Sequence, residues 1–222
     1  DSESKCVEIM RSDFDLHGTA EVYGINGFSA DYIIRNNVIN VSSDTPQSTT
    51  IFAIAGTFSS MTIQNNTIIY PVYGIYSTAR SNPVVENNLF LFQDSIPEVT
   101  DGAGYYACSA DSHPMKMRNN RFSNYERTYN YVDEDGNESH YEHNQLAALE
   151  SDLTAMGREA SGNTATTDDE SSYFAEDWDL AGPVPDVIGE DGRNLSGLFT
   201  VDKKNRSRPA AGGWTVGAYQ KP

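Results

Sequence analysis

A doubled asparagine set inside short apolar runs recurs in "YIIRNNVINV", "MTIQNNTIIY", "PVVENNLFLF" and "MKMRNNRFSNY". The pairs are Asn36-Asn37, Asn65-Asn66, Asn87-Asn88 and Asn119-Asn120, at intervals of 29, 22 and 32 residues. A degenerate copy lies in "EIMRSDFDLHG", where Arg11-Ser12 holds the place of the pair 25 residues before Asn36. Self-similarity at this spacing means stacked supersecondary units, because one such unit cannot bury its apolar face alone.

The residue two before each pair is apolar (Ile34, Ile63, Val85, Met117), and so is the residue two after it (Ile39, Ile68, Phe90, Phe122). Alternation on both sides predicts two short strands with one buried face, joined by a sharp bend at the pair. Asn suits the bend because it tolerates left-handed backbone angles, and its amide can bond to the equivalent Asn one unit away. About fourteen residues upstream of each pair lies a third strand-like piece: "VYGIN", "IFAIA", "YGIYS" and "YYACS". Three short strands per turn, with length variation confined to the connections, predict an all-β fold: a parallel β-helix of about five coils over residues 1–125. A leucine-rich repeat would need its Leu consensus, and a propeller blade would need four strands.

After Tyr125 the pattern changes. "RTYNYVDEDGNESHYEH" reads as a hairpin about an Asp-Gly turn. "HNQLAALESDLTAMGREASG" reads as a short helix with Leu146, Leu149, Leu153 and Met156 on one face and Gly157 as its stop. "SGNTATTDDESS" reads as a polar loop, and the Gly- and Pro-rich end as a segment wrapping over the last coil. Residues 126–222 are thus expected to form a hairpin, helix and cap packed on the coils as one structural domain.

The helix "LAALESDLTAMGREASGNTA", then "FAEDWDLAGP", then "RSRPAAGGWTVGAYQ" resembles, in order, the end of many secreted bacterial right-handed parallel β-helix proteins of the pectate-lyase-like superfamily. Those carry a short helix ending in Gly, an "L...GSPAIDAG" segment and a terminal "G..R......DIGAYE" tail. Thr215 and Gln220 stand where that family usually carries Asp and Glu. The resemblance implies a right-handed coil, a secreted, periplasmic or cell-surface location, and a glycan as partner. Such proteins usually have more coils, so the chain is expected to be the carboxy-terminal part of a longer β-helix.

Among 222 residues, 32 Asp and Glu stand against 15 Lys and Arg, a formal charge of -17. Such a surface repels phosphate backbones, so nucleic acid is excluded as a partner. No apolar run approaches the roughly 20 residues needed to span a bilayer. Cys6 and Cys108 allow one disulfide or two small buried thiols, and the sequence leaves both open.

Family members that act on polysaccharides bind them along one outer sheet. The equivalent column here runs near Tyr23, Phe52, Tyr73, Tyr76, Tyr105 and Tyr106, with Arg80, Asp94, Glu98, Asp101, Asp111 and His113 nearby. Tyr rings offer sugars an apolar stacking face and a hydroxyl, so Tyr73, Tyr76, Arg80, Tyr105, Tyr106, Asp111 and His113 are the candidate substrate-binding residues. The competing reading is ordinary sheet surface and core. A uronate lyase would also need a base and a cation, and Arg80, His113, Lys116 and Arg118 are the cations at hand. No catalytic signature of a lyase or polygalacturonase stands on the coils. "DEDGNE" suggests calcium, with Asp133, Asp135 and Asn137 as ligands, but an EF-hand would need an acid where Tyr131 stands. No other cofactor is indicated. Two functions stay open: a polysaccharide lyase or glycoside hydrolase binding an extended glycan along one sheet, and a non-catalytic structural, adhesin or carbohydrate-binding β-helix.

Overall fold

The computed structural model describes residues 6–19, 21–43, 51–69, 72–92, 102–124, 127–175, 181, 188 and 191–220. The first coil contains β1 (Cys6–Met10), β2 (Asp13–Gly18) and β3 (Val22–Phe28). The second contains β4 (Asp31–Arg35), β5 (Val38–Ser43) and β6 (Ile51–Thr57). The third contains β7 (Ser60–Gln64), β8 (Thr67–Ile69) and β9 (Tyr73–Thr78). The fourth contains β10 (Val84–Glu86), β11 (Leu89–Leu91) and β12 (Ala103–Ala107), and the fifth β13 (Lys116–Arg118), β14 (Arg121–Ser123) and β15 (Arg127–Val132). Strands at equivalent positions pair in parallel into three sheets, called A, B and C in the order the chain visits them. The fold is a parallel β-helix.

The coils run on past Tyr125. β15 pairs in parallel with β12, and it also turns back through Asp133–Asn137 into antiparallel β16 (Glu138–Glu142), so the predicted hairpin ends sheet C. Helix α1 (Leu146–Ala155) follows, then β17 (Glu159–Ser161) on sheet A and β18 (Thr164–Thr166) on sheet B. The stretch expected to be a polar loop is therefore a sixth A-to-B corner, with Gly162-Asn163 in place of the doubled Asn. It went unread because Gly supplies the left-handed angle and only the second Asn remains.

The two asparagines of each pair do different work. The first takes the left-handed backbone, with φ of 54° at Asn36, 52° at Asn65, 56° at Asn87 and 51° at Asn119; Arg11 does the same at 54°. The second is buried and forms a ladder. Asn66 donates its backbone N–H and its Nδ2 to Asn88 Oδ1, both at 3.0 Å, and its Nδ2 also to Ile34 O at 2.9 Å. Asn37, Asn88 and Asn120 repeat this pattern, and the ladder continues to Asn163. At net about 1 kcal/mol per bond, this repeated set holds the corners in register.

Inside, Ile34, Ile63, Val85 and Met117 from sheet A meet Ile39, Ile68, Phe90 and Phe122 from sheet B. Phe90 and Phe122 stack at 4.7 Å, and sheet C leaves room for them: a Cβ on Gly74 would lie 2.6 Å from Phe90 Cδ1, and one on Gly104 2.4 Å from Phe122 Cδ1. Leu146, Leu149 and Leu153 of α1 join this core and cover its last layer. Met156, expected on the same face, is 52% exposed, because the helix has already ended. Arg158 N–H donates to Leu153 O and Gly157 N–H to Thr154 O, and Gly157 sits at φ 75°. This is the Schellman arrangement that a glycine stop provides.

Among the described residues, hairpin and helix cover the final coil. From Asp191 onward the tail descends along the A-to-B corner and returns, held by the first asparagines. Asn119 Nδ2 donates to Asp191 O (2.9 Å), Asn87 Nδ2 to Arg193 O (2.6 Å), and Asn36 Nδ2 to Val201 O (3.1 Å). Lys203 reaches Asp13 at 2.5 Å and Arg11 reaches Asn205 beside the first coil. On the way back, Gly217 N–H donates to Asn87 O, while Val216, Ala218 and Tyr219 pack on Val38, Ile69, Leu89 and Leu91 of sheet B. Arg208 is buried and clamps the turn, donating to Asn36 Oδ1 and to the carbonyls of Thr215, Gly217 and Ala218.

Candidate functional site

Sheet B carries the returning tail on its outer side, so the aromatic column on the outer side of sheet C is the candidate surface. The strand register places Tyr23, Phe52 and Tyr73 in one outward row, and Tyr76 beside Tyr106 in the next. The rings form one contiguous patch: Tyr23 to Phe52 at 5.2 Å, Phe52 to Tyr73 at 5.4 Å, Phe52 to Tyr76 at 4.6 Å, Tyr73 to Tyr106 at 5.3 Å and Tyr76 to Tyr106 at 5.6 Å. Phe52 is the buried centre, and the four tyrosines around it keep part of their surface exposed. Contacts of this kind contribute about 0.5–1.5 kcal/mol each beyond area burial, so the rings support one another without a ligand.

The phenols of Tyr23, Tyr76 and Tyr106 stay protonated. Burial, and next a hydrogen bond with Cys108, push Tyr76 well above the ordinary tyrosine range; burial, and next a hydrogen bond with Glu138, do the same for Tyr106. Burial and the Glu21 carboxylate raise Tyr23. The face therefore offers ring surfaces and O–H groups rather than phenolate bases.

Two candidates do not reach this surface. Tyr105 points inward with no exposed area, because it follows Ile25, Ile54 and Ile75 in register; it stacks on Tyr129 at 5.1 Å and donates to Ser112 O at 2.9 Å. The doubled Tyr105-Tyr106 concealed which of the two faced out. His113 is also buried, with Nδ1 2.7 Å from the Tyr129 hydroxyl, beside a small void lined by Tyr131, Tyr141 and Leu149. Burial holds its pKa below the usual histidine value.

Arg80 and Asp111 are brought together at the corner between sheets C and A, with Arg80 Nε 3.3 Å from Asp111 Oδ2. The Ser109 hydroxyl and Arg80 hold Asp111 below the ordinary carboxylate range, so it stays ionised near neutral pH. Lys116 pairs with Glu159 at 3.2 Å, and Arg118 with Glu86 and Glu159. Asp94, Glu98 and Asp101 lie outside the described residues.

The acidic hairpin tip has its own internal bonding. Asp133 Oδ1 accepts from the backbone N–H of Asp135 at 2.9 Å and of Asn137 at 2.8 Å, and the Asn137 bonds lower the Asp133 pKa. Among the described residues, no group of three or more His, Cys, Asp or Glu side chains is placed to hold a metal ion. Cys6 and Cys108 are both free thiols, which overturns the disulfide reading and agrees with the two-thiol reading except in burial, since Cys6 is exposed and Cys108 partly so. Among the described residues no helix is long and apolar enough to cross a membrane.

Residues that sequence reasoning passed over include Glu138 and Cys108 on the sheet C face and Phe28 and Phe58 at the C-to-A corner, 65% and 57% exposed. "GFSA" and "TFSS" carry the signal for the last two, but the copies are offset by one residue when aligned on the asparagines. Comparison with protein-family models, with curated proteins and with solved structures finds no match to this chain.

Proposed function

We propose that the protein is a carbohydrate-associated β-helix, secreted or displayed at a cell surface, that binds an extended neutral glycan along the outer face of sheet C. The observation carrying this reading is the contiguous patch of Tyr23, Phe52, Tyr73, Tyr76 and Tyr106, whose rings run along the stacking direction. Flat rings with protonated hydroxyls suit the C–H faces and hydroxyls of sugars. A net charge of -17 disfavours polyanionic chains, and neutral glycans escape that repulsion. The likeness of coils and tail to secreted bacterial β-helix proteins of the pectate-lyase-like superfamily supports the same reading.

Binding rather than turnover is favoured by the titration behaviour of the face. The Tyr76 and Tyr106 phenols are protonated near neutral pH and so offer no base, and the Asp111 carboxylate is already engaged by Arg80 and the Ser109 hydroxyl. A glycan array followed by calorimetric titration tests the reading. Tyr76→Ala and Tyr106→Ala should each weaken binding by up to about tenfold, the affinity equivalent of one stacked ring. Retention of no glycan, or affinity indifferent to both substitutions, would overturn it. Shortened products in a chromatographic assay would replace binding with catalysis.

A further inference from the structure

Where sheet C passes into sheet A, a cleft of about 460 Å³ is lined by Asp31, Phe58, Ser59, Ser60, Arg80, Asn82 and Met115. Two features there are unfavourable to the fold taken alone. Phe58 holds a left-handed backbone at φ 51°, which is a true outlier for a bulky residue. The equivalent corners use Ser29 at φ 49° and Ala79 at φ 50°, so the turn itself does not require a ring. The Phe58 ring is mostly exposed and, among the rings of the described residues, meets that of Phe28 edge-on, at 6.1 Å and 88°. On the cleft wall, the buried Oδ1 of Asn82 has no hydrogen-bond partner among the described residues. Features of this kind concentrate where a ligand is held.

The hydrogen bonds around the cleft are built in advance. Asn82 Nδ2 donates to Arg80 O at 2.9 Å and to Asp111 O at 3.0 Å, Ala79 N–H donates to Ser109 Oγ at 3.2 Å, and Ser59 N–H donates to Ser81 Oγ at 3.0 Å. Arg80 is fixed through Nε alone, and among the described residues its two terminal amino groups have no partner. The cleft thus presents guanidinium donors, the Asp31 carboxylate, the Ser60 hydroxyl, and the apolar side chains of Phe58 and Met115.

We infer that this cleft is a second subsite, which takes one pyranose unit of a neutral oligosaccharide, with the sugar's C–H face on Phe58 and its hydroxyls on Arg80 and Asp31. The inference rests on the glycan-binding reading of sheet C and places a further contact on a different wall of the coil. Charge selects the occupant. Asp31 lines the same cleft as Arg80 and Asp111 pairs with Arg80, on a protein of net charge -17, which opposes an anion, while Arg80 opposes a cation. Mixed donors and acceptors beside an aromatic ring match a neutral polyol.

Nuclear magnetic resonance titration of the isotope-labelled chain with neutral hexasaccharides of glucose, xylose, mannose and galactose tests this. Binding should shift the amide signals of Phe58–Ser60 and Arg80–Asn82, and Phe58→Asn and Arg80→Gln should each weaken it roughly tenfold or more. Phe58→Asn should also keep or raise the unfolding midpoint, because Asn accepts the left-handed angle more readily than Phe. A lowered midpoint, or unchanged affinity in both variants, would show the ring to be structural and overturn the subsite. Shifts confined to Tyr73, Tyr76 and Tyr106 would overturn the subsite and leave the sheet C reading intact. Shifts confined to the cleft would support the subsite and overturn the sheet, and no shifts with any sugar would overturn both.

Discussion

Glu150 receives two of the hydrogens that Asn163 offers at the end of the asparagine ladder. The backbone N–H and Nδ2 of Asn163 both lie 2.8 Å from Glu150 Oε1. Every earlier asparagine passes the same two donors to the amide oxygen of the next, so a carboxylate on α1 ends the series where no further coil follows. The helix therefore seals the last layer twice, with its leucines over the apolar core and with Glu150 over the polar corner.

Glu150→Ala should cost about 2 kcal/mol, the range for hydrogen bonds to a charged acceptor, because it strands both donors. Glu150→Gln keeps an acceptor and should cost less than about 1 kcal/mol. Urea denaturation of the two variants makes the comparison, and equal losses would show that the charge, not the acceptor, matters.

The division of labour within each pair predicts unequal costs. Asn66→Ala removes the acceptor of Asn37 and the donors to Asn88 and Ile34, all in a buried corner, and should cost about 3 kcal/mol or more. Asn65→Gly keeps the left-handed angle and loses only long contacts, 3.4 Å to Thr215 O and 3.5 Å to Gly217 O in the tail and 3.5 Å from Asn87 Nδ2 to Asn65 Oδ1. Its cost should be about 1 kcal/mol or less. The two midpoints can be read in one set of denaturation curves.

The coil was legible because its signal is local: an apolar residue on either side of a bend residue, repeated in four copies. The path of the tail was not, since nothing in "RSRPAAGGWTVGAYQ" states which surface it meets, and the contacts that fix it, such as Arg208 with Asn36, are long-range. The site was half legible. The outward Tyr73 and Tyr76 are three residues apart, which strict period-two alternation does not place on one face, and Tyr105 and Tyr106 are adjacent, so only the register with Ile75 and Tyr76 sends the first inward. His113 looked like a surface ligand because its polarity was visible and its partner Tyr129, sixteen residues on, was not.

Arg208 ties the return limb of the tail to the coils, and burial pulls its pKa down to about 10. Arg208→Met removes donors to three carbonyls and Asn36, and should cost about 3–5 kcal/mol locally, as for other broken buried networks. The loss should appear as faster hydrogen exchange over 201–220, with protection of β7, β8 and β11 largely kept. Uniform loss of protection across the coils would mean that the tail and the coils fold as one cooperative unit.

His113 makes stability depend on pH in a defined window. Burial, with Arg158 as the second cause, lowers its folded-state pKa, so the neutral ring is the folded form beside the Tyr129 hydroxyl. Above the unfolded value of about 6.5 both states hold the neutral ring and the group leaves stability unchanged. As the pH falls below that value, the unfolded state takes up a proton that the folded state refuses, and stability declines by up to about 1.4 kcal/mol per pH unit until the folded-state pKa is reached. Asp111 and Asp133, whose pKa values are lowered, add their own losses only in the more acidic carboxylate range. Denaturation curves between pH 7 and pH 5 should therefore slope downward for the native sequence and be flatter for His113→Gln. The same slope in both would place the titrating group elsewhere.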